Sequence, residues 1–562
     1  MSGRRNKGKA IRIVVFLLLF GTFAFFAGRY ILYIKIRDAI ENELGSLKKQ
    51  GIIITYDDFE VFAWDGRIDI HELKVKVRKD SLVNDSIAHG LDAYLPYITI
   101  EGIDPFPFLR EKTLSIGKIH SFETYVTYCT NSTLVGTGKS AKRQIEVNNI
   151  EIDNISFPRI DLYLTEETQD DTIAHILSDV YMTDLFLAKQ LDSLTWQKGE
   201  VLVSDFAMNY TKEYYGVSVR NARIGITNRS IDIDSFLVKP VLSRDKFMKA
   251  KGKQIDYIEA FIPSLKFRGI DWYTFPSPTL RLDKMDIQLV AKLYRDKRMP
   301  FRQSKEIPLP AHLLHRIPVS LTVDTLEVKK SFVSYEEMPE HGDSTGLIFF
   351  DELNARILHL HNNNRLNVDS RMHATARFMG AGDLDAHFTF PHDTLQPYRV
   401  AGTLRNMRMS SVNKMLGAAA MIKVESGTMR NLKFNFTYNN NSSSGDVSLD
   451  YEGLKVLSLR QNRKNEQSVS RIKTALLNAL VLGKKVNEQH KDDFRTGTVS
   501  FERDKQRSVF NYWWKSILSG VKSAYKLDKL PTKGNNSAKN EKKKRPLKEV
   551  LTRIFKNDEE KK

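Results

Sequence analysis

The sequence predicts a mainly β protein hung from one N-terminal transmembrane helix, with few other helices and an amphipathic helix at its C-terminus. Three observations predict it. Ile13 to Gly28 is an uncharged apolar run behind Arg4, Arg5, Lys7, Lys9 and Arg12; the middle of the chain alternates apolar with polar residues; and residues 531–562 are Lys-rich and end in a helical pattern.

The apolar run fixes where the rest works. Counted through Arg29, whose long side chain can snorkel, to Ile34, it holds 22 residues, about 33 Å of helix. That length spans a bilayer, and Ile13, Phe16, Leu19, Phe26 and Arg29 are its expected anchor residues. No Asp or Glu precedes Asp38, so the positive-inside rule keeps the N-terminus cytoplasmic and exports the chain beyond Ile34. A cleaved signal peptide is the competing reading. It requires small residues just past the run, and the nearest fit, Thr22 and Ala24, lies inside it.

Composition is ordinary for a globular chain, with 41% hydrophobic and 27% charged residues. Cys129 is the only cysteine, so an exported domain is held by packing and strand pairing; Cys129 itself reads as a buried small hydrophobe in the strand-like run Tyr125 to Cys129. The net charge of +18 is concentrated at the ends: +5 in residues 1–12, and eleven basic against five acidic residues in 531–562. The +7 left for the middle, without a recognisable motif, excludes a nucleic-acid binder, and basic termini suit membrane surfaces.

Along the chain, a short helix is expected over 35–50, then strands: Leu73-Lys-Val75-Lys-Val77 alternates apolar with basic residues and Tyr97 to Ile100 comes soon after. Turn signals recur at Trp64-Asp-Gly66, Asn362-Asn-Asn364 and Asn439 to Gly445. A weak repeat links Leu114, Ile116, Ile119 and Tyr128 with Leu280, Leu282, Met285 and Tyr294, and with Leu321, Val323, Leu326 and Tyr335; Ile145, Val147 and Ile150 repeat its first half. Repeated strand units argue for a quasi-one-dimensional architecture. Helical spacing is found over 170–192 (Ile173, Ile176, Leu177, Val180), from Ser468 to Leu482, and through Phe510 to Leu518, whose Trp513 and Trp514 suit a sheet cap or a membrane interface. Past Pro531 a basic linker (529–545) leads to an amphipathic helix over 546–560, with Leu547, Val550, Leu551, Ile554 and Phe555 on one face.

Motifs that promise chemistry fail on context. Gly342-Asp-Ser344-Thr-Gly346 matches a serine-hydrolase elbow, but a strand candidate, Leu347 to Phe350, comes next where a helix is required. Leu134 to Ser140 resembles the end of a phosphate loop but lacks the first glycine, and Arg143 to Ile152 reads as strand. The thirteen histidines show no HExxH spacing, and His359-Leu-His361 is read as one strand face near a turn. Adjacent carboxylates, Asp57-Asp58 and Asp170-Asp171, point to opposite faces of a strand and share no acid/base site. The chain is read as a non-enzyme, with no metal and no cofactor.

In its order of parts, from basic terminus through anchor and short helix to strands, the chain resembles the AsmA-like family of bacterial envelope proteins, related in architecture to chorein-type bridge-like lipid-transfer proteins. The resemblance rests also on Leu114 to Tyr128, on Ile317 to Val328 with Phe332 to Glu336 after it, and on a C-terminal stretch: Gly402-Thr-Leu, Ser411 to Leu416, Glu425 to Met429, and Gly445 leading to Tyr451-Glu-Gly-Leu454. It spans roughly 10 to 525. It implies a long, twisted, taco-like antiparallel sheet over 51–400, a family C-terminal region over 401–528, and an apolar concave face, in the periplasm, anchored to the inner membrane.

A sheet with one apolar face needs a cover, and acyl chains supply one at about 0.8 kcal/mol per buried CH₂. The expected function is therefore phospholipid transport or outer-membrane homeostasis by shielding acyl chains, on Leu73, Val75, Val77, Ile98, Ile100, Leu282, Leu321 and Val323. For each, an ordinary core contact is the alternative. The other functional reading is an assembly factor that binds envelope proteins, with a partner recruited by the C-terminal helix.

Overall fold

The computed structural model describes residues 52–524 except 63–65, 79–88, 130–146, 167–171, 191–192, 211–212, 272–278, 301–305, 318–319, 341–342, 363–365, 394–395, 462–466 and 470–494. The anchor residues, the expected helix over 35–50, the phosphate-loop-like stretch, Asp170-Asp171 and the C-terminal helix lie outside the described residues. Among the described residues, no helix is long and apolar enough to cross a membrane. The chain is mainly β and divides between Asn228 and Arg229 into two units. Residue 400, an expected domain boundary, falls within a strand of the second.

Unit 1 holds β1 (Ile52–Thr55), β2 (Asp58–Phe62), β3 (Arg67–Arg78), β4 (His89–Glu101), α1 (Pro105–Glu111), β5 (Thr113–Ser121), β6 (Thr124–Cys129), β7 (Asn149–Thr165), β8 (Thr172–Gln190), β9 (Ser193–Tyr210) and β10 (Tyr215–Gly225). β1 and β2 pair with successive parts of β3, and β5 and β6 do the same between β4 and β7. Asp104 starts α1 by accepting from Phe106 N at 2.9 Å, with Pro105 at the first helical turn, where no amide partner is needed. Cys129 is buried, and its thiol donates to Glu166 O.

Unit 2 holds β11 (Ser230–Pro240), α2 (Arg244–Lys251), β12 (Asp256–Arg268), β13 (Thr279–Asp296), α3 (Pro310–His315), β14 (Ser320–Met338), β15 (Gly346–His361), β16 (Ser370–Phe378), β17 (Gly382–Phe390), β18 (Tyr398–Arg408), α4 (Asn413–Ala420), β19 (Ile422–Tyr438), β20 (Ser442–Gln461), β21 (Gln467–Val469), β22 (Arg495–Glu502) and α5 (Val509–Ala524). Its main core lies where α5 packs on the sheet: Phe434, Phe436, Tyr438, Val447 and Val499 against Val509 and Tyr512.

Two expectations need correction. The sheets are mixed: β5 and β6 pair with β7, and β13 with β14, in parallel. The described part of the helix expected over 170–192 is strand β8, with Ile176 and Val180 on one face and Ile173 and Leu177 on the other, so two strand faces together imitate helical spacing. Ser468 lies in β21, and the rest of the helix expected from Ser468 to Leu482 lies outside the described residues.

The two units repeat one plan. Gly66-Arg-Ile-Asp-Ile70 opens β3 as Arg229-Ser-Ile-Asp-Ile233 opens β11, and Gly102-Ile-Asp104 comes after β4 as Gly269-Ile-Asp271 does after β12. The hydrogen bonds repeat too. Ile103 N donates to Gly66 O at 3.0 Å, as Ile270 N does to Arg229 O at 3.0 Å; Asp104 N donates to Ser115 O, as Asp271 N does to Arg281 O. Left-handed residues recur at matched places: Glu72 and Ser235 (φ 56° and 55°), Arg159 and Lys330 (57° and 44°), Asp184 and His359 (52° and 55°). At the parallel junctions Leu114, Ile116 and Ile119 face Ile150, Ile152 and Ile155, just as Leu280, Leu282 and Met285 face Leu321, Val323 and Leu326.

Candidate functional site

Directly paired residues of neighbouring strands project from the same face, so register decides which side chains share a surface. In unit 1 the successive partners Val61, Ile68, Ile100, Ile119, Ile155, Met182, Val201 and Ile224 form an apolar row with one residue from each of eight strands. A second row runs through Ile54, Val75, Ala93, Val126, Leu162, Ile176, Met208 and Val217. Ile176 and Met182 are six residues apart in β8, which has no left-handed residue between them, so both rows occupy one face.

Other strands reach that result differently. Val75 is seven residues from Ile68, which in a regular strand would put it on the opposite face. Left-handed Glu72, opposite Pro96, lies between them and reverses the alternation once, as a bulge does. Arg159 and Asp205 have the same place in β7 and β9. Unit 2 repeats the device: Ile231, Phe267, Met285, Leu326, Ile357, Met372, Phe388, Val400 and Phe436 form one row, and Val238, Ala260, Ala291, Val333, Phe350 and Phe378 a second, with left-handed Ser235, Lys330 and Glu352 between.

Most of these side chains are half-buried, and the row of unit 2 becomes fully buried only at Val400 and Phe436. There α5 covers it, with the Trp513 ring 4.9 Å from Phe388 and 6.0 Å from Tyr438. Trp513 thus takes the sheet-capping role expected as one option from sequence. Trp514 and Phe510 remain exposed. Among the described residues of unit 1, the only helix is α1, beside β5, and its Phe106 and Leu109 are 76% and 74% exposed.

The expected lipid-contact residues divide into two kinds. Ile100 belongs to the first row of unit 1 and Val75 to the second, with Leu73 and Val77 flanking it on β3. Ile98 pairs with Ile70 and is buried. Leu321 is half-buried, but Leu282 and Val323, at 2% and 1% exposure, pack beneath Ile270 and leave no surface for a ligand. Row residues that sequence reasoning missed include Ile155, Met182 and Met372, while Met285 and Leu326 were read as repeat positions but not as surface residues. The available signal was the shared spacing i, i+2, i+5, which begins at Ile150 rather than at Ile145.

The reverse face of unit 2 is charged. Lys266, Asp286, Glu327, Arg356, His373 and His387 are successive partners. Glu327 lies 2.8 Å from Lys329, 2.6 Å from Arg356 and 3.3 Å from Lys284. Hydrogen bonds from Lys329 and then Arg356 hold its carboxyl down at about 2. Beside this row His373 Nε2 is 3.1 Å and His387 Nε2 3.3 Å from the Asp385 carboxylate. On the apolar face, burial pushes the Tyr438 phenol well above its ordinary range, which suits a core role. The elbow-like Ser344 precedes strand β15, with no helix after it.

Fold and faces together define a mainly β protein of two repeated units, each with a broad apolar surface on one side of its sheet. No protein-family model, curated protein or solved structure matches the chain.

Proposed function

We propose that the chain is a lipid-shielding protein of the bacterial envelope, anchored in the inner membrane by residues 13–34, whose apolar rows cover phospholipid acyl chains in the periplasm. One observation carries the reading: each unit presents two apolar rows on one face, with an apolar residue from strand after strand and no charge among them. A soluble sheet whose apolar face is only half-buried needs a cover. Acyl chains fit because the rows offer bulk without hydrogen-bonding groups, and because sliding along them breaks no directional contact. The resemblance to AsmA-like proteins supports the same reading, as do the basic termini.

Photo-crosslinking residues placed singly at Ile155 and Leu326 are expected to capture acyl chains in full-length protein taken from membranes. The same probe at the adjacent Ser156 and Glu327, on the opposite face, is expected to capture none. Protein free of phospholipid, with no difference between the two pairs of sites, refutes the proposal. The alternative of an assembly factor is favoured by exposed Phe510 and Trp514 on α5, an aromatic surface suited to a protein partner. A partner lost on replacing those two residues while lipid capture persists would select it.

A further inference from the structure

We infer that His373, Asp385 and His387 form a binding site for a divalent transition-metal ion of the zinc and copper class, on the charged face of unit 2. His373 on β16 and His387 on β17 are direct cross-strand partners, and Asp385 lies two residues before His387, so all three side chains leave the same face. One donor atom from each falls within 4.8 Å of the others.

The spacing is compatible with a metal. Ligands held at about 2.0–2.1 Å around a tetrahedral ion stand roughly 3.3 Å from one another. The two nitrogen-to-carboxylate separations are of that size, 3.1 Å from His373 Nε2 to Asp385 Oδ2 and 3.3 Å from His387 Nε2 to Asp385 Oδ1, so the carboxylate turns one oxygen toward each imidazole. The imidazole rings are stacked parallel with centroids 4.3 Å apart, so a shared ion requires each to rotate about its side-chain bonds until the two Nε2 lone pairs converge. Two imidazoles and one carboxylate are a borderline donor set, which selects zinc, copper or nickel over calcium or magnesium.

The surroundings are compatible. Both strands are interior to the sheet, flanked by β15 and β18, which fixes the backbone under the three ligands. The nearest cation along the row, Arg356, has its guanidinium engaged by Glu327 at 2.6 Å. Arg371, opposite Thr389 and two residues from His373, is on the same face of the sheet. All three ligands are at least partly exposed, which leaves the remaining coordination positions to water or to an exogenous ligand. The site is independent of the lipid reading, since it uses the opposite face.

The test uses the full-length protein with Cu²⁺ and Zn²⁺ as probes. Stoichiometric Cu²⁺ is expected to give an electron paramagnetic resonance signal with hyperfine structure from two nitrogens, reduced to one nitrogen in His387→Ala. Because even outer residues of metal sites are worth tenfold or more, Zn²⁺ affinity is expected to fall at least roughly tenfold in His373→Ala and in His387→Ala, and to fall in Asp385→Asn. Far-ultraviolet circular dichroism of each variant checks that the sheet is intact. Zn²⁺ affinity unchanged in a folded His373→Ala/His387→Ala variant, or a Cu²⁺ signal the variants leave unaltered, overturns the site and assigns any binding to other histidines.

Discussion

Replacing Gly497 with alanine tests whether α5 is seated as described. A Cβ at Gly497 would stand 1.9 Å from Gly520 O and 2.4 Å from Ala524 N, both backbone atoms of α5. Ordinary contact begins near 3.4 Å, so the helix must lift by 3.4 − 1.9, on the order of 1.5 Å. Lifting it loosens Tyr512, Val499 and Val447, all at most 1% exposed, and opens the Ser443 to Ser516 hydrogen bond of 2.7 Å. Overpacking of this kind costs about 3 kcal/mol. Hydrogen exchange of peptides spanning 495–524 is the assay, because it reads local stability without requiring a single unfolding transition. Each 1.36 kcal/mol is a factor of ten, so those amides are expected to exchange about a hundredfold faster. Gly417→Ala is the control: nothing lies within 4 Å of its Cβ, and helical alanine is favoured over glycine, so exchange there stays equal or slows. Peptides of Gly497→Ala exchanging within threefold of the parent would refute the close seating of α5 on β22.

Two further outcomes rest on particular residues. Glu327 has a folded-state pKa depressed to about 2, so its stabilising contribution is present above the ordinary glutamate range and is lost as pH falls through about 2; acid unfolding of unit 2 is expected to lose part of its pH dependence between about 4.5 and 2 in Glu327→Gln, which also sacrifices about 1.5–3 kcal/mol at pH 7. An acid-unfolding curve identical to the parent's contradicts the network. Lys330→Gly removes the strain of a left-handed lysine and is expected to leave unit 2 as stable or up to about 1 kcal/mol more stable, whereas Thr325→Gly, at a regular position of the same strand, loses about 0.5–1 kcal/mol; equal losses in urea unfolding would mean that Lys330 is not left-handed.

Much of the fold was readable because alternation reports a strand wherever one face is dry. Leu73 to Val77, Tyr97 to Ile100 and Leu347 to Phe350 are strands, and the aromatic segment from Phe510 is a helix. Strand direction was not readable, since parallel and antiparallel partners show the same alternation along their own chains. The parallel junctions were nonetheless written in the sequence, as the recurring i, i+2, i+5 triplets. Their meaning emerges only when Leu282 and Val323 are seen side by side. The rows themselves were half legible. Alternation extended from Ile68 assigns Val75 to the wet face, because nothing about a glutamate announces that residue 72 is left-handed. The His373, Asp385 and His387 cluster was illegible for a related reason: the ligands sit across a hairpin, and only register brings them together.

The left-handed residues have a further consequence, for how such strands tolerate insertions and deletions. In a regular strand the loss of one residue turns everything beyond it inside out. Arg159 and Lys330 are each a surplus residue of this kind, at the same place in the two units. Losing either would straighten the strand and send Leu162 or Val333, with the rest of its half, to the wet side. Strand ends can be trimmed or extended freely over generations, but the length between those residues and the junction triplets has to be inherited as a fixed count.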